Sequence, residues 1–155
     1  MIKADVLINN KDWIRHIRFP STYINKKLKK IDKKLNIFKK NNFKFTVLLS
    51  EDREIKKLNK QFRKKNKTTD ILSFPCHKKK NIILLLKKKN TKIYLGDIII
   101  NLNKIILKIK KKEFLPNFDK LLIHGLVHLL GYRHKSNRDF GMMTKVENQF
   151  IKSLK

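Results

Sequence analysis

The sequence predicts an α+β fold, a single domain in which one mixed β-sheet packs against helices. Segments rich in β-forming residues dominate the first two-thirds of the chain, whereas amphipathic segments of helical period dominate the last third. The chain has 155 residues, which suits one domain with a sizeable core. We therefore predict that residues 1–155 form a single domain.

Four segments have the composition of β-strands. They are rich in isoleucine, valine, leucine and phenylalanine and are bounded by polar residues or proline. A glycine inside the last of them, Gly96, predicts a bulge or a close backbone approach. The expected strands are residues 2–9, 43–50, 70–75 and 93–101.

Helices are expected between and after these strands. Ser21, Ser50 and Asn117 are placed to act as N-caps, because their side chains can accept a hydrogen bond from the first helical turn. The expected helices are 21–39, 50–63, 103–112, a segment from Asn117 to Gly131, and 137–153. Residues 77–92 could be a lysine-rich insert that forms an extra hairpin or an exposed loop.

The net charge of +28 favours a polyanionic partner such as RNA, DNA or an acidic membrane surface. However, most of the basic residues are lysines, and asparagine and isoleucine are abundant too, as expected of an AT-rich coding sequence. The charge therefore supports a nucleic-acid partner without establishing one. A lone cysteine, the lack of a signal-like segment and the lack of a long apolar run predict a cytoplasmic protein.

The segment IHGLVHLLGYRH, residues 123–134, contains three of the five histidines. His124 and His128 are four residues apart, so they share one face of a helix. Gly131 can adopt the left-handed conformation that ends helices, after which the chain can bring His134 back toward the other two. The spacing therefore predicts three imidazoles that converge on one point.

Three imidazoles with an open fourth position are typical of catalytic zinc, whereas structural zinc sites close with four ligands, mostly cysteines. We therefore predict one zinc per chain, held by His124, His128 and His134. Metzincin proteases use a similar spacing, but their catalytic glutamate follows the first histidine. Gly125 occupies that position here, which argues against a protease of that mechanism.

Three segments resemble the YbeY-type bacterial endoribonucleases, also called rRNA maturation factors. HGLVHLLGYRH (124–134) is similar to the family's H-G-x-x-H-L-x-G-Y-D-H. LNKQFRKKNKTTDILSFP (58–75) is similar to L-N-x-x-[YF]-R-x-x-x-x-x-T-D-V-L-S-F-P, and LGDIII (95–100) to L-G-D-I-V-I. Their order and spacing agree as well, and the resemblance spans roughly residues 43 to 150.

The resemblance implies a zinc-dependent, single-strand-specific endoribonuclease that acts in rRNA maturation, notably at the 3′ end of 16S rRNA, and in ribosome quality control. It implies that His124, His128 and His134 are metal ligands and catalytic residues, and that Arg63 is a catalytic arginine. The implied partners are single-stranded RNA, ribosomal RNA and the small ribosomal subunit. Neither a membrane nor a nucleotide cofactor is expected.

Arg133 departs from the family pattern, which has aspartate before the third histidine. An aspartate there could orient a ligand histidine, whereas arginine cannot accept a hydrogen bond and could instead contact a phosphate. The alternative is therefore an RNA-binding ribosome-assembly factor, stabilised by metal but catalytically weakened. A hydrolase of another substrate is a third alternative. The sequence also leaves open whether activated water or the 2′-hydroxyl attacks the phosphate.

Overall fold

A mixed sheet of four strands forms the centre of the molecule. The structure, a computed structural model, describes residues 1–108 and 110–154. The strands lie in the order β1-β2-β4-β3, with β1, β2 and β4 parallel and β3 antiparallel to β4. The predicted α+β fold with one mixed sheet is confirmed. The strands are β1 (Ile2–Ile8), β2 (Asn42–Ser50), β3 (Ile71–Pro75) and β4 (Lys92–Asn101).

The predicted irregularity at Gly96 is present. The pairing of β2 with β4 shifts register between Lys44 and Thr46, opposite Gly96, where β4 contains one extra residue. Gly96 has φ +131°, and a Cβ atom built on it would lie 2.1 Å from the carbonyl oxygen of Phe74. Glycine is needed here because both the backbone conformation and the close approach of β3 exclude a side chain.

Seven helices surround the sheet in the described part of the chain, and two short 3₁₀ turns, Asn36–Phe38 and Lys111–Glu113, accompany them. The helices are α1 (Trp13–His16), α2 (Pro20–Lys34), α3 (Asp52–Arg63), α4 (Lys79–Lys87), α5 (Leu102–Lys108), α6 (Phe114–Leu129) and α7 (Asn137–Leu154). None of the helices in the described residues combines the length and the apolarity that crossing a membrane requires.

Two apolar clusters of unequal size hold the layers together. The larger one lies on the face of the sheet that α2, α6 and α7 cover, and it contains Phe45, Val47, Phe118 and Leu122. On the opposite face, Ile55 of α3 packs against Leu72 and Ile99 of the sheet, and the helix covers only part of that face. The thin layer under α3 places the end of that helix beside the edge strand β3.

The expected N-caps were wrong in detail. Helix α2 begins at Pro20, with Phe19 in the N-cap position, and α3 has Glu51 rather than Ser50 in that position. Proline suits the first turn because it has no N–H to leave unpaired. Asn117 lies inside α6, where its side-chain amide donates to the Glu113 carbonyl oxygen at 2.9 Å.

Helix lengths also differ from expectation. Helix α2 ends at Lys34, and a 3₁₀ turn follows where the sequence predicted one helix as far as residue 39. Helix α5 ends at Lys108, whereas the predicted helix extended to residue 112; Ile109 lies outside the described residues. The last helix, predicted over 137–153, is α7 and extends to Leu154.

Segment 77–92 contains a helix, α4, so the expectation of a hairpin or an exposed loop was wrong for residues 79–87. Ile82 is buried and Leu85 and Leu86 are partly buried against the main core. These three residues follow the i, i+3, i+4 spacing of one helical face, while the intervening side chains remain in solvent. Packing of that face, rather than the lysine-rich flanks, determines the structure of the segment.

Candidate metal centre

His124 and His128 lie on consecutive turns of α6, as their spacing predicts. Their Nε2 atoms are 3.1 Å apart. Two imidazole nitrogens bound to one tetrahedral zinc ion, each at about 2.0–2.1 Å, lie roughly 3.3 Å from each other. The two side chains are therefore placed as a pair of ligands to a single ion.

Helix α6 lies very close to the sheet at the residue between these histidines. A Cβ atom on Gly125 would meet two side-chain carbons of Ile98 at 2.9 Å and one of Ile71 at 3.0 Å. Any larger residue would push the helix, and the histidines with it, away from β3 and β4. The glycine that replaces the catalytic glutamate of metzincins thus has a packing role.

Gly131 ends the turn after α6 with φ +88°, as predicted. Its N–H donates to the His128 carbonyl oxygen at 2.9 Å, which satisfies one of the last carbonyls of the helix. A Cβ atom here would lie 2.6 Å from Cα of Lys79, in the first turn of α4. Helix α4 therefore packs directly behind the turn that precedes His134.

The turn brings His134 to the other two histidines. Its ring centroid lies 5.1 Å from that of His128 and 5.9 Å from that of His124. One ring nitrogen from each of the three residues can be chosen so that all lie within 4.8 Å of one another. The three histidines are thus positioned to bind a metal ion. The other two histidines lie elsewhere: His16 stacks on Phe114, and His77 bonds to the backbone of β4.

Hydrogen bonds at Nδ1 leave Nε2 free in two of the three histidines. Nδ1 of His124 lies 2.7 Å from Oε1 of Glu147, and Nδ1 of His128 lies 2.9 Å from the carbonyl oxygen of Tyr132. A carboxylate and a carbonyl can only accept, so both Nδ1 atoms carry the proton when the rings are neutral. The two Nε2 lone pairs then face each other at 3.1 Å, an arrangement that a cation between them would stabilise.

The electrostatic environment favours the neutral form of His128. Burial lowers the pKa of His128 to about 4, and the nearby His124, His134 and Arg63 act in the same direction. The hydrogen bond to the Tyr132 carbonyl oxygen opposes this shift. A neutral imidazole is the form that binds metal, so this residue is available as a ligand well below neutral pH.

The structure places Arg63 beside the histidines. It is the last residue of α3, and its Nη2 atom donates to the carbonyl oxygen of Ser73 at 3.1 Å. The guanidinium carbon also lies 5.9 Å from the ring centroid of Phe74. Its charge lowers the pKa of His128, so Arg63 lies near that histidine, and its hydrogen bond to Ser73 places it at the edge strand β3.

Glu147 is the residue of the site that the sequence did not predict. Its side chain is 22% exposed, and it lies on the face of α7 that packs against α6. A signal was present, because Glu147 is four residues after Met143 and three before Phe150, both of which are buried. An acid inside an apolar stripe of helical period requires a partner, and here the partner is His124.

A mixed sheet, with two histidines on the covering helix α6 and a third in the turn after it, defines a single-domain α+β protein with a site positioned to bind a metal ion. The family model described as endoribonuclease YbeY matches residues 7–155. The chain therefore belongs to the endoribonuclease YbeY family, which confirms the resemblance and the enzyme class, a hydrolase that cleaves RNA.

Individual relatives agree with this assignment. The endoribonuclease YbeY of Pelagibacter ubique (strain HTCC1062) is 43% identical over 100% of this chain and 97% of its own length. The protein of the same name from Thermodesulfovibrio yellowstonii is 36% identical, over 91% of this chain and 92% of its own. A Thermotoga maritima protein solved in solution has the same fold, with a TM-score of 0.54 and 22% identity over 99% of this chain and 89% of its own.

Proposed function

We propose that this chain is a zinc-dependent endoribonuclease that cleaves single-stranded RNA during ribosomal RNA maturation. One observation carries the zinc dependence: the Nε2 atoms of His124 and His128 face each other at 3.1 Å while both Nδ1 atoms are bonded to acceptors. An all-imidazole donor set suits zinc, and three protein ligands leave a position for water or substrate.

The histidines and their partners would hold the metal in a fixed geometry. His124, His128 and His134 supply the ligand atoms, Glu147 fixes the ring of His124, and the Tyr132 carbonyl oxygen fixes the ring of His128. When bound, a zinc ion lowers the pKa of water to about 7 and polarises a phosphoryl oxygen. Since Gly125 offers no carboxylate, the chemistry depends on the metal and on nearby cations.

Arg63 is the residue we assign to the phosphate. A guanidinium has five N–H donors, so a single bond to Ser73 leaves donors for two oxygens of a phosphodiester. That bond and the Phe74 ring fix the position of the group before substrate arrives. A fixed guanidinium can therefore stabilise the charge that develops on phosphate oxygens in the transition state.

The charge of the chain fits RNA as the substrate. A net charge of +28 favours any nucleic acid, through neutralisation of phosphates and release of counterions. Family membership favours RNA over DNA as the substrate. We further propose that the substrate is unpaired ribosomal RNA on the small subunit, including the 3′ end of 16S rRNA. A role in ribosome quality control in the cytoplasm completes the proposal.

A second candidate is an RNA-binding assembly factor that has kept the metal and lost most of its activity. Arg133 favours it, because an exposed cation immediately before His134 opposes the binding of a second cation. Arg133 lies in a surface depression with Lys79 and Lys135, so these three cations could retain RNA without cutting it. The two candidates differ in turnover and not in affinity for RNA.

Metal analysis and cleavage assays separate the two candidates. The purified protein should contain one zinc per chain, and His128→Ala should lose it. Labelled RNA with a single-stranded tail and a duplex stem should be cut only in the tail, and chelator should abolish the cut while zinc restores it. Full zinc occupancy in His128→Ala contradicts the site, whereas zinc-loaded protein that binds the tail without cutting it supports the assembly factor.

A further inference from the structure

Phe62 is a large apolar side chain that the fold leaves in solvent beside the metal centre. It is 60% exposed, and it immediately precedes Arg63 at the end of α3. Single exposed apolar residues are common on protein surfaces and need no explanation by themselves. The surroundings of Phe62 distinguish it from such residues.

The ring of Phe62 is supported by a second aromatic ring. Its centroid lies 5.3 Å from that of Phe74, with an angle of 64° between the planes, which is an edge-to-face contact. Phe74 is itself packed against the apolar cluster under α3, so the support is part of the core and does not move freely. The exposed ring is thus held in place, and little side-chain entropy would be lost on binding a ligand to it.

Phe74 also supports Arg63. The guanidinium carbon of Arg63 lies 5.9 Å from the Phe74 centroid, on the same ring that contacts Phe62. The guanidinium of Arg63 and the exposed ring of Phe62 therefore share one support, and Arg63 lies close enough to His128 for its charge to act on that histidine. An RNA strand offers the matching pair of groups, a flat base and the phosphate of a neighbouring nucleotide.

We infer that Phe62 is a base-stacking residue, which holds an unpaired base of the RNA while Arg63 holds a neighbouring phosphate. The inference rests on the proposed ribonuclease function, to which it adds the contact that selects the substrate. A base can stack on an aromatic ring only if it is not already stacked within a duplex. Each of the four bases has a flat face that can make this contact. Phe62 would thus favour single strands without favouring a sequence.

Phe62→Leu tests the inference, because it keeps an apolar side chain of similar size and removes the aromatic face. Loss of one base–aromatic stack should raise KM for single-stranded RNA about tenfold or more and leave kcat nearly unchanged. The same loss should appear when the parent protein is given RNA with one abasic nucleotide at the stacked position. Phe62→Leu should not lose further affinity on that RNA.

Phe19 provides a matched control. It is 63% exposed, and an arginine, Arg18, lies 5.3 Å from its ring centroid. It lines a pocket with Leu115, at the opposite end of α6 from His128. Phe19→Leu should therefore leave KM unchanged. An equal rise of KM in Phe19→Leu, or a parental KM in Phe62→Leu at unchanged zinc content, overturns the inference.

Phe62→Trp gives a readout that does not depend on cleavage. The parent contains one tryptophan, Trp13, which is fully buried, so a new indole at position 62 would report on this surface alone. Single-stranded RNA mixed with this variant in a stopped-flow instrument should quench the indole emission before any product forms, and an emission that saturating RNA leaves unchanged overturns the inference. Failure of the parent to cut any RNA would instead contradict the proposed function, while the quenching experiment would still decide the stacking.

Discussion

The carboxylate of Glu147 and the ring of His124 connect the last two helices at the metal centre, with Oε1 and Nδ1 separated by 2.7 Å. The two residues are 23 positions apart in the sequence, and the contact lies where α7 crosses α6. The negative charge makes the opposite nitrogen of His124 a stronger ligand and orients it toward His128. Metal binding and the packing of the two helices are thereby coupled.

Removing that charge should weaken zinc binding. Glu147→Gln keeps an oxygen that can accept from Nδ1, so the ring should stay in place while its basicity falls. We expect the affinity for zinc to decrease about tenfold to a hundredfold. Competition with a fluorescent zinc chelator measures the change.

Glu113→Gln is the control for this substitution. Glu113 is exposed at the beginning of α6, remote from the histidines at the end of the helix. An equal loss of zinc affinity in both variants would show that overall charge, and not the contact with His124, is responsible. Unchanged affinity in Glu147→Gln would remove Glu147 from the site.

The low pKa of His128 predicts how the stability of the metal-free protein depends on pH. Its ordinary value is 6.5, and burial lowers the value in the folded chain to about 4. Between these values the unfolded chain binds a proton that the folded chain does not bind. The free energy of unfolding should therefore decrease as the pH falls from 6.5 toward 4.

Urea denaturation in the presence of chelator, at several pH values in this range, measures the effect, and His128→Gln should show a weaker dependence. Asp52 affects the free energy of unfolding in a different pH range. Hydrogen bonds from Thr68 and Asn101 lower the pKa of its carboxyl below 3.8, so its contribution is lost only at more acidic pH. Identical slopes for the parent and His128→Gln above pH 4 would contradict the assignment.

Gly131 and Gly141 should respond to substitution by alanine in opposite directions. Gly131 has φ +88°, and its missing Cβ would overlap the backbone of Lys79, so Gly131→Ala should destabilise the fold by about 1–3 kcal/mol. Gly141 lies inside α7 with nothing within 4 Å of the position of its Cβ. Gly141→Ala should stabilise the fold by about 0.5–1 kcal/mol. Chemical denaturation of both variants tests this prediction of opposite effects, and a loss of stability in both variants would contradict it.

The part of the site that depends on local geometry was predictable from the sequence. The i, i+4 spacing of His124 and His128 and the left-handed turn at Gly131 are properties of one short segment, and the structure has both. The strands were predictable for a similar reason, since β-forming residues occur there in short runs bounded by polar residues. Each of these features is determined by residues close to one another in the chain.

Features that depend on distant partners were not predictable. Helix α4 has the run NIILLL, which is too short for its period to distinguish helix from strand, and the packing of Ile82, Leu85 and Leu86 against the main core decides the outcome. The role of Glu147 was unpredictable for the same reason, because only the packing of α7 against α6 shows that it faces His124. The loop of residues 64–70 is fixed by Asn59 and Asn101 through bonds to main-chain atoms, a contact without a sequence pattern.

Arg63 and Arg133 should differ in what they contribute to the reaction. Arg63→Lys keeps the charge and loses the two-pronged geometry, so turnover should fall about a hundredfold or more while RNA affinity stays nearly constant. Arg53→Lys, the same change in the first turn of α3, is the matched control and should cut at the parental rate. Single-turnover cleavage and filter binding of the same RNA separate the two quantities.

Arg133→Asp should instead change the affinities for zinc and for RNA. Arg133 is exposed next to His134 and shares a depression with Lys79, Lys135 and one acid, Asp139, so we expect its charge to repel a bound metal and attract phosphate. An aspartate there should tighten zinc binding and weaken RNA binding, and raising the salt should reduce the difference in RNA affinity between parent and variant, because the contact is ionic. Parental turnover in Arg63→Lys would remove Arg63 from the chemistry. Unchanged zinc and RNA affinities in Arg133→Asp would leave Arg133 without a role, as expected if it accumulated with the many other cations of the chain through compositional drift.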